Sequence, residues 1–149
     1  MTKYTENKFL PFSPSQLYNI VSDIESYPSF LPWVADASVD KAKTIKCDAI
    51  TTLEAEICIK FNVYKERFVS QVTLNPDDFK ISTTDISGPF KRLENSWCFL
   101  AKNNGCQVKF EVDFQFRSFI LHNLINSVFH RAMTRVTESF ENRAKDLYG

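Results

Sequence analysis

The chain has 149 residues, enough for one domain that buries roughly two-thirds of its unfolded surface and too few for two. Lysine plus arginine balances aspartate plus glutamate at 18 each, so no overall field draws the protein to nucleic acid or to an acidic membrane, and DNA is not an expected partner. Aromatic residues reach 14%, led by 14 phenylalanines, against 3 glycines, which argues for a thick, ring-rich core and against glycine-rich phosphate loops or disorder.

Residues from about Tyr4 to Leu10 read as a short first strand. FSPSQ then gives a helix start, with Ser13 as N-cap, Pro14 at the first helical position and Gln16 closing a capping box, so a helix is expected from about Pro14 to Ser22. DIESYPSFLPW carries two prolines and leaves room for a short second helix around Ile24 to Phe30, ended by Pro32. From about Ala35 the pattern changes period. Strands are predicted near 35–42, 45–56, 58–73, 79–86, 91–101 and 106–117, separated by turn chemistry such as NPDD, SGP and KNNG. In the last of these, Val108, Phe110, Val112, Phe114 and Phe116 alternate with polar residues, and the resulting apolar face needs a cover. The segment from about Phe119 to Leu147 supplies one. Leu121, Leu124, Ile125, Val128, Ala132, Val136, Phe140, Ala144 and Leu147 recur there at three- and four-residue spacing, which predicts one long amphipathic helix. The expected architecture is an α+β domain over residues 1–149 in which an antiparallel sheet curls around a C-terminal helix.

No run approaches the roughly twenty apolar residues that cross a bilayer. The N-terminal region lacks the apolar core of a signal peptide and the first arginine is Arg67, so a mature cytoplasmic protein is expected. Cys47, Cys58, Cys98 and Cys106 show no CxxC spacing, which favours reduced thiols over a zinc site or a disulfide framework. His122 and His130 do not have the four-residue spacing of a zinc helix. Glu54 and Glu56 share a strand face, but Lys60, Asn62 and Tyr64 continue that parity, so a solvated face is read there and not an acid/base pair. Arg131, Arg135, Arg143 and Lys145 interleave with Glu138, Glu141 and Asp146, the pattern of a solvated helix face with intrahelical ion pairs. No catalytic constellation and no metal site stand out, and the chain is not expected to be an enzyme.

The apolar faces carry more. Ile57, Ile59, Phe61 and Val63 form one, and Leu93, Asn95, Trp97 and Phe99 another, with Asn95 needing a partner or a ligand hydrogen bond if buried. A filled core and an apolar cavity between helix and sheet both fit these patterns. Tyr27, Phe30, Leu31, Pro32 and Trp33 crowd a loop, which reads as a cap on the core ahead of the alternative, a docking surface for a partner.

VSDIESYPSFLPWV from Val21 to Val34, GPFKRLENSWCF from Gly88 to Phe99, and SVFHRAMTRVTESFENRAKDLYG from Ser127 to Gly149 together resemble the coenzyme Q-binding START-like proteins. These form a branch of the helix-grip (START/Bet v 1-like) superfamily that includes polyketide cyclases and steroidogenic lipid-transfer domains. The match spans essentially the full chain, with one departure at Val34, where many relatives have cysteine. The resemblance implies a curved seven-stranded antiparallel sheet gripping the C-terminal helix, with two short helices after the first strand. It also implies an apolar tunnel that holds ubiquinone or a related isoprenoid lipid as bound ligand, with no cofactor required. Such proteins look like carriers or chaperones that support respiratory electron transport, in transient contact with a membrane surface or a respiratory complex and peripheral at the inner membrane. Carried onto this chain, the tunnel is lined by Phe61, Phe90, Leu93, Trp97, Phe110, Phe114, Phe129, Met133 and Val136, with its entrance near Phe30, Leu31, Pro32 and Trp33.

The same family includes bacterial ribosome-association toxins, which bind the large ribosomal subunit and block subunit joining. That reading is the alternative. Its sequence support is two local basic clusters, Lys41, Lys43 and Lys46, and Lys91 with Arg92. A cyclase-like enzyme on the same fold ranks last, because superfamily membership does not transfer chemistry.

Overall fold

The computed structural model describes residues 2–61 and 63–149. Strand β1 (Thr2–Leu10) leads into helix α1 (Pro14–Ser22), a 3-10 helix over Ile24–Ser29, and then β2 (Val34–Cys47), β3 (Ile50–Phe61), β4 (Tyr64–Asn75), β5 (Lys80–Ser87), β6 (Phe90–Lys102) and β7 (Gly105–Phe116). Helices α2 (Phe119–Asn126) and α3 (Phe129–Tyr148) end the chain. Among the described residues, the strands form one seven-stranded antiparallel sheet in the order β1-β7-β6-β5-β4-β3-β2. The first strand returns to pair with the last, Tyr4 opposite Val112, and the other strands follow as a meander.

Local chemistry fixes α1 as expected. The Ser13 hydroxyl accepts from the Gln16 backbone N–H at 3.1 Å, the Gln16 side chain accepts from Ser13 N at 2.9 Å, and Pro14 opens the helix. The inward side of α1 buries Leu17, Ile20 and Val21 against the core.

The middle of the sheet departs from the expected boundaries. The gap expected between residues 42 and 45 is a register shift inside β2, between Asp40 and Ile45, and the true turn follows at Asp48 with φ 55°. The break expected between 56 and 58 does not exist, because β3 runs through Ile57 and Cys58 to Phe61 and stays paired with β4 from Thr51↔Leu74 to Phe61↔Tyr64. Val63, expected on an inward face, stands fully exposed in the turn. Where β5 meets β6, Gly88 has φ 135°, and a Cβ there would lie 2.5 Å from the Cβ of Phe68, so only glycine fits this approach.

The C-terminal helix is two helices. Ser118 caps α2 by accepting from Leu121 N at 3.2 Å, and α2 ends where Ser127 Oγ bonds Leu124 O and Val128 N bonds Ile125 O. A serine hydroxyl that takes a carbonyl from its own helix competes with the helical ladder, and the chain turns at Val128, φ −117°, before α3 begins. Leu121, Phe129, Phe140 and Ala144 are buried, but Leu124 and Leu147, counted in the apolar stripe, are exposed. Phe140 anchors α3 to the sheet, its ring 5.0 Å from Trp97.

Cys106, fully buried in β7, supplies a test of this core. Burial pushes its thiol up to about 11 from an ordinary 9.0. Between these values the unfolded chain has released the proton and the native chain has not, so stability is full below pH ~9 and falls as pH rises towards 11, by at most ~1.4 kcal/mol per pH unit. Tyr27, whose phenol burial also raises, adds to the loss at higher pH. Urea midpoints from about pH 8 to about pH 10.5 are expected to decline, and Cys106→Ala is expected to flatten the early part of that decline. An equally steep decline in the variant would place the titrating group elsewhere.

Candidate functional site

The concave face of the sheet does not pack flush on α3. Among the described residues, two adjoining cavities lie between them. The first, about 250 Å³, is walled by Ala55, Ile57, Ser70, Val72, Ile81, Thr83, Leu93, Asn95, Trp97, Phe110 and Val112 from the strands, by Met133, Val136 and Phe140 from α3, and by Leu31, Pro32 and Trp33 from the loop before β2. The second, about 260 Å³, lies towards α2 and is walled by Phe61, Phe68, Phe90, Phe114, Phe116, Ile125, Val128, Phe129 and Ala132. Trp33, Ile59, Phe68, Leu93, Val112 and Met133 border both. The pair is a single apolar interior pinched at its middle, on the scale of roughly 300–1,000 Å³ ligand sites.

Strand parity explains the lining. In β4, Phe68, Ser70 and Val72 face inward, with Ala55 opposite Ser70 in β3, and in β6 Leu93, Asn95 and Trp97 share the inward side. Of the residues expected at the tunnel, Leu31, Trp33, Leu93, Trp97, Phe110, Met133 and Val136 border the first cavity. Phe61, Phe90, Phe114 and Phe129 border the second. Phe30 borders neither. Its ring packs 5.3 Å from Phe140 and 6.0 Å from Tyr27, with the Arg143 guanidinium 5.2 Å above it, so it closes the core behind the loop.

The walls are apolar with few exceptions. Asn95 donates to Glu111 O at 2.8 Å and so finds its partner in the sheet. Ser70 does not. Its residue is 1% exposed and its hydroxyl has no hydrogen-bond partner among the described residues, although an unpaired buried hydroxyl costs about 1–3 kcal/mol. The sequence carried one faint sign of it, a small polar residue at an inward position between Phe68 and Val72. Tyr27, also on the wall, donates its hydroxyl to Val21 O, and burial, reinforced by Asp23, raises its phenol well above the usual range.

Trp33, which borders both cavities, stands in an unusual backbone state, φ 65°, which a bulky residue adopts only when its surroundings hold it there. Lys60 N donates to Trp33 O at 2.8 Å, Phe61 packs 5.7 Å from the indole, and Arg135 lies 5.2 Å over it. Arg135 and Arg143 thus cover aromatic rings, while Lys145 makes an intrahelical pair with Glu141 at 3.7 Å.

Other polar groups sit apart from the cavities. Glu54 pairs with Lys43 at 3.6 Å and Glu56 with Arg67 at 2.9 Å on the outer face, while Asn62, read with that parity, lies outside the described residues. His122 lies 3.5 Å from Thr2 Oγ1 and against Phe114, and His130 packs on the Tyr4 ring at 5.0 Å. Among the described residues, no group of His, Cys, Asp or Glu side chains is placed to hold a metal ion.

A family model described as polyketide cyclase / dehydrase and lipid transport matches residues 10–141. The chain belongs to this family. As a member of the polyketide cyclase/dehydrase and lipid-transport family it has the helix-grip, START-like fold. It is 35% identical to the ribosome association toxin RatA of Rickettsia prowazekii over 99% of both chains. It is 30% identical to the mitochondrial coenzyme Q-binding protein COQ10 homolog B of Xenopus laevis, over 99% of this chain and 59% of that one. The solution structure of the 18 kDa protein CC1736 from Caulobacter crescentus superposes with a TM-score of 0.83 at 32% identity, covering 100% of this chain and 99% of that one. Among the described residues, no helix is long and apolar enough to cross a membrane.

Proposed function

We propose that this protein binds ubiquinone or a related isoprenoid lipid in the joined cavities and acts as a carrier or chaperone for it, supporting respiratory electron transport without turning a substrate over. The observation that carries this reading is an apolar interior, open between sheet and α3, whose wall holds one buried hydroxyl with nothing to bond. An isoprenoid tail gains about 2.5 kcal/mol for every ~100 Å² of hydrocarbon taken from water, so the phenylalanine-lined second cavity suits the tail. A quinone head bears carbonyl and methoxy oxygens that accept hydrogen bonds, which suits the first cavity, where Ser70 waits with a donor. The relative named as a coenzyme Q-binding protein supports the same choice of ligand.

A mass spectrum of an organic extract of the purified protein, beside a denatured control, tests the reading. Stoichiometric ubiquinone is the expected result, and an empty extract with no uptake of added quinone would remove it. Ser70→Ala tests the head position. Losing one hydrogen bond is expected to weaken ubiquinone binding about five-fold, while the ligand-free protein gains stability because the unpaired hydroxyl is gone. Fluorescence titration and urea midpoints read the two effects, and unchanged affinity would move the head away from Ser70.

A second reading, association with the large ribosomal subunit, is favoured by the 35% identity to RatA along the whole chain. Its charged contacts are weaker than the sequence suggests. Arg92 is paired with Asp113 and Glu94, and Lys43 with Glu54, so much of each basic cluster is already compensated. Salt-sensitive co-sedimentation with large subunits, lost on neutralising Lys91 and Arg92, would favour this reading over the carrier.

A further inference from the structure

The second cavity does not end at its phenylalanine walls. Ile59, Phe61, Phe68, Phe90, Phe116 and Ile125 also line a groove of about 80 Å³ that continues it between α2 and the β3–β4 hairpin. Tyr64 and Leu124 form the outer lips of this groove, and both are exposed, Leu124 at 59%. One lip follows from strand pairing, since Tyr64 stands opposite Phe61 across the hairpin. The other follows from helical spacing, which puts Leu121, Leu124 and Ile125 on one face of α2. The adjacent face of α2 is tied to β1 instead, where Thr2 Oγ1 donates to Asn126 Oδ1 at 2.7 Å and lies 3.5 Å from His122 Nε2. Helix α2 is thus anchored along β1 and stands off the β3–β4 hairpin.

The groove shares the chemistry of the interior. Among the described residues, no charged side chain lines either cavity, and Glu66 is the one that reaches the groove, where the Tyr64 hydroxyl donates to its carboxylate. From Ser70 in the first cavity, past the pinch at Met133 and through the second cavity to Leu124, the wall is therefore one apolar path that starts beside the unbonded hydroxyl. A head held at Ser70 sends its tail along this path. The joined cavities are on the scale that a drug-sized ligand fills. A polyisoprenoid of many units is much longer, and a tail that outruns the interior needs an apolar way out.

We propose that the groove between α2 and the β3–β4 hairpin is the outlet for the distal tail of a long polyisoprenoid, so that the protein encloses the head and the first tail units and selects long tails over short ones. The proposal rests on the carrier reading for the head at Ser70 and adds to it the length of the cargo. Binding strengthens in proportion to the apolar area removed from water, so each further unit laid in the interior or the groove tightens the complex. Units beyond Tyr64 and Leu124 touch nothing and add nothing. An interior closed at this end would behave otherwise, because a tail too long for it would have to be compressed or left out, and affinity would fall again for the longest homologues.

Titration of the full chain with ubiquinone homologues bearing from one to ten isoprene units, read by quenching of Trp33 and Trp97 fluorescence, tests it. The expected result is an affinity that rises about ten-fold or more with each unit added to the short homologues and then stays level for the longest. An affinity that falls again for the longest would mean a closed interior and overturn the outlet. Leu124→Glu sets a charge on one lip and is expected to cut the ratio of long-tail to short-tail affinity about ten-fold. Should that variant fail to fold, Tyr64→Glu probes the facing lip in the same way, and an unchanged ratio in a folded variant would overturn the proposal. A diazirine at the tail end of the homologue at which affinity levels is expected to label Tyr64 or Leu124. Labelling of Leu31 or Pro32 instead would put the outlet at the loop before β2 and overturn its place at α2. Binding of the short homologues with no gain from length would remove the outlet and leave the quinone standing, whereas binding of none would remove both.

Discussion

Replacing Phe114 with alanine is expected to lower stability by about 3–5 kcal/mol, the range for deleting a buried ring that its surroundings do not refill. The ring is 4% exposed and lies 4.5 Å from Phe129, 5.1 Å from Phe116 and 6.1 Å from both Phe90 and His122. These neighbours come from β6, β7, α2 and α3, so the deletion loosens every layer at the second cavity. The cavity already there makes collapse around the gap inefficient. Urea unfolding measures the loss, and a change below about 1 kcal/mol would mean that the ring is not part of the packed core. A polar residue at Phe114 or Trp97 is expected to abolish ligand retention in whatever fraction remains folded.

Met133→Trp is expected to separate binding from folding. Met133 lies on α3 at the pinch where the two cavities meet, with Trp33 and Leu93 among its neighbours on the wall. A larger ring there occupies space that is empty, whereas the same change in a filled core costs about 1–3 kcal/mol. Ubiquinone binding is expected to fall by about a hundred-fold or more, because head and tail are no longer able to occupy the joined interior together, while the urea midpoint stays at or above that of the parent. Quinone content after organic extraction and the midpoint read the two consequences. Full quinone content in the folded variant would exclude the pinch as part of the binding path.

Much of the fold is legible in the chain because its signals are local. Ser13, Pro14 and Gln16 specify the start of α1 whatever surrounds them, and the alternation from Val108 to Phe116 fixes which side of β7 is covered. The β2–β3–β4 boundaries are less legible because their turns lack the usual punctuation: Asp48 takes φ 55° where glycine would announce a turn, and the β3–β4 turn has neither glycine nor proline. The apolar period runs across Ser127 without a proline, so the break between α2 and α3 shows only as a serine hydroxyl competing for a carbonyl. For the cavity, parity names the inward residues but not the distance between facing layers, and that distance decides whether Leu93 and Met133 touch or face empty space. Ser70 is hidden for the same reason, since a serine on an inward face bonds its neighbours or waits for a ligand according to geometry alone.

The sheet is open, and β2 is one of its two margins. Its 14 residues would offer a long row of unpaired backbone groups to any passing chain, the template on which fibrils grow. Two register shifts, between Val34 and Asp36 and between Asp40 and Ile45, bend that row out of line. Lys41, Lys43 and Lys46 stand exposed along its far half. Two copies approaching margin to margin would bring Lys41 and Lys46 into mutual repulsion, Lys43 being paired with Glu54, while the bends keep their backbones from matching. The bends and the basic run on β2 thus guard this margin against pairing with a second copy.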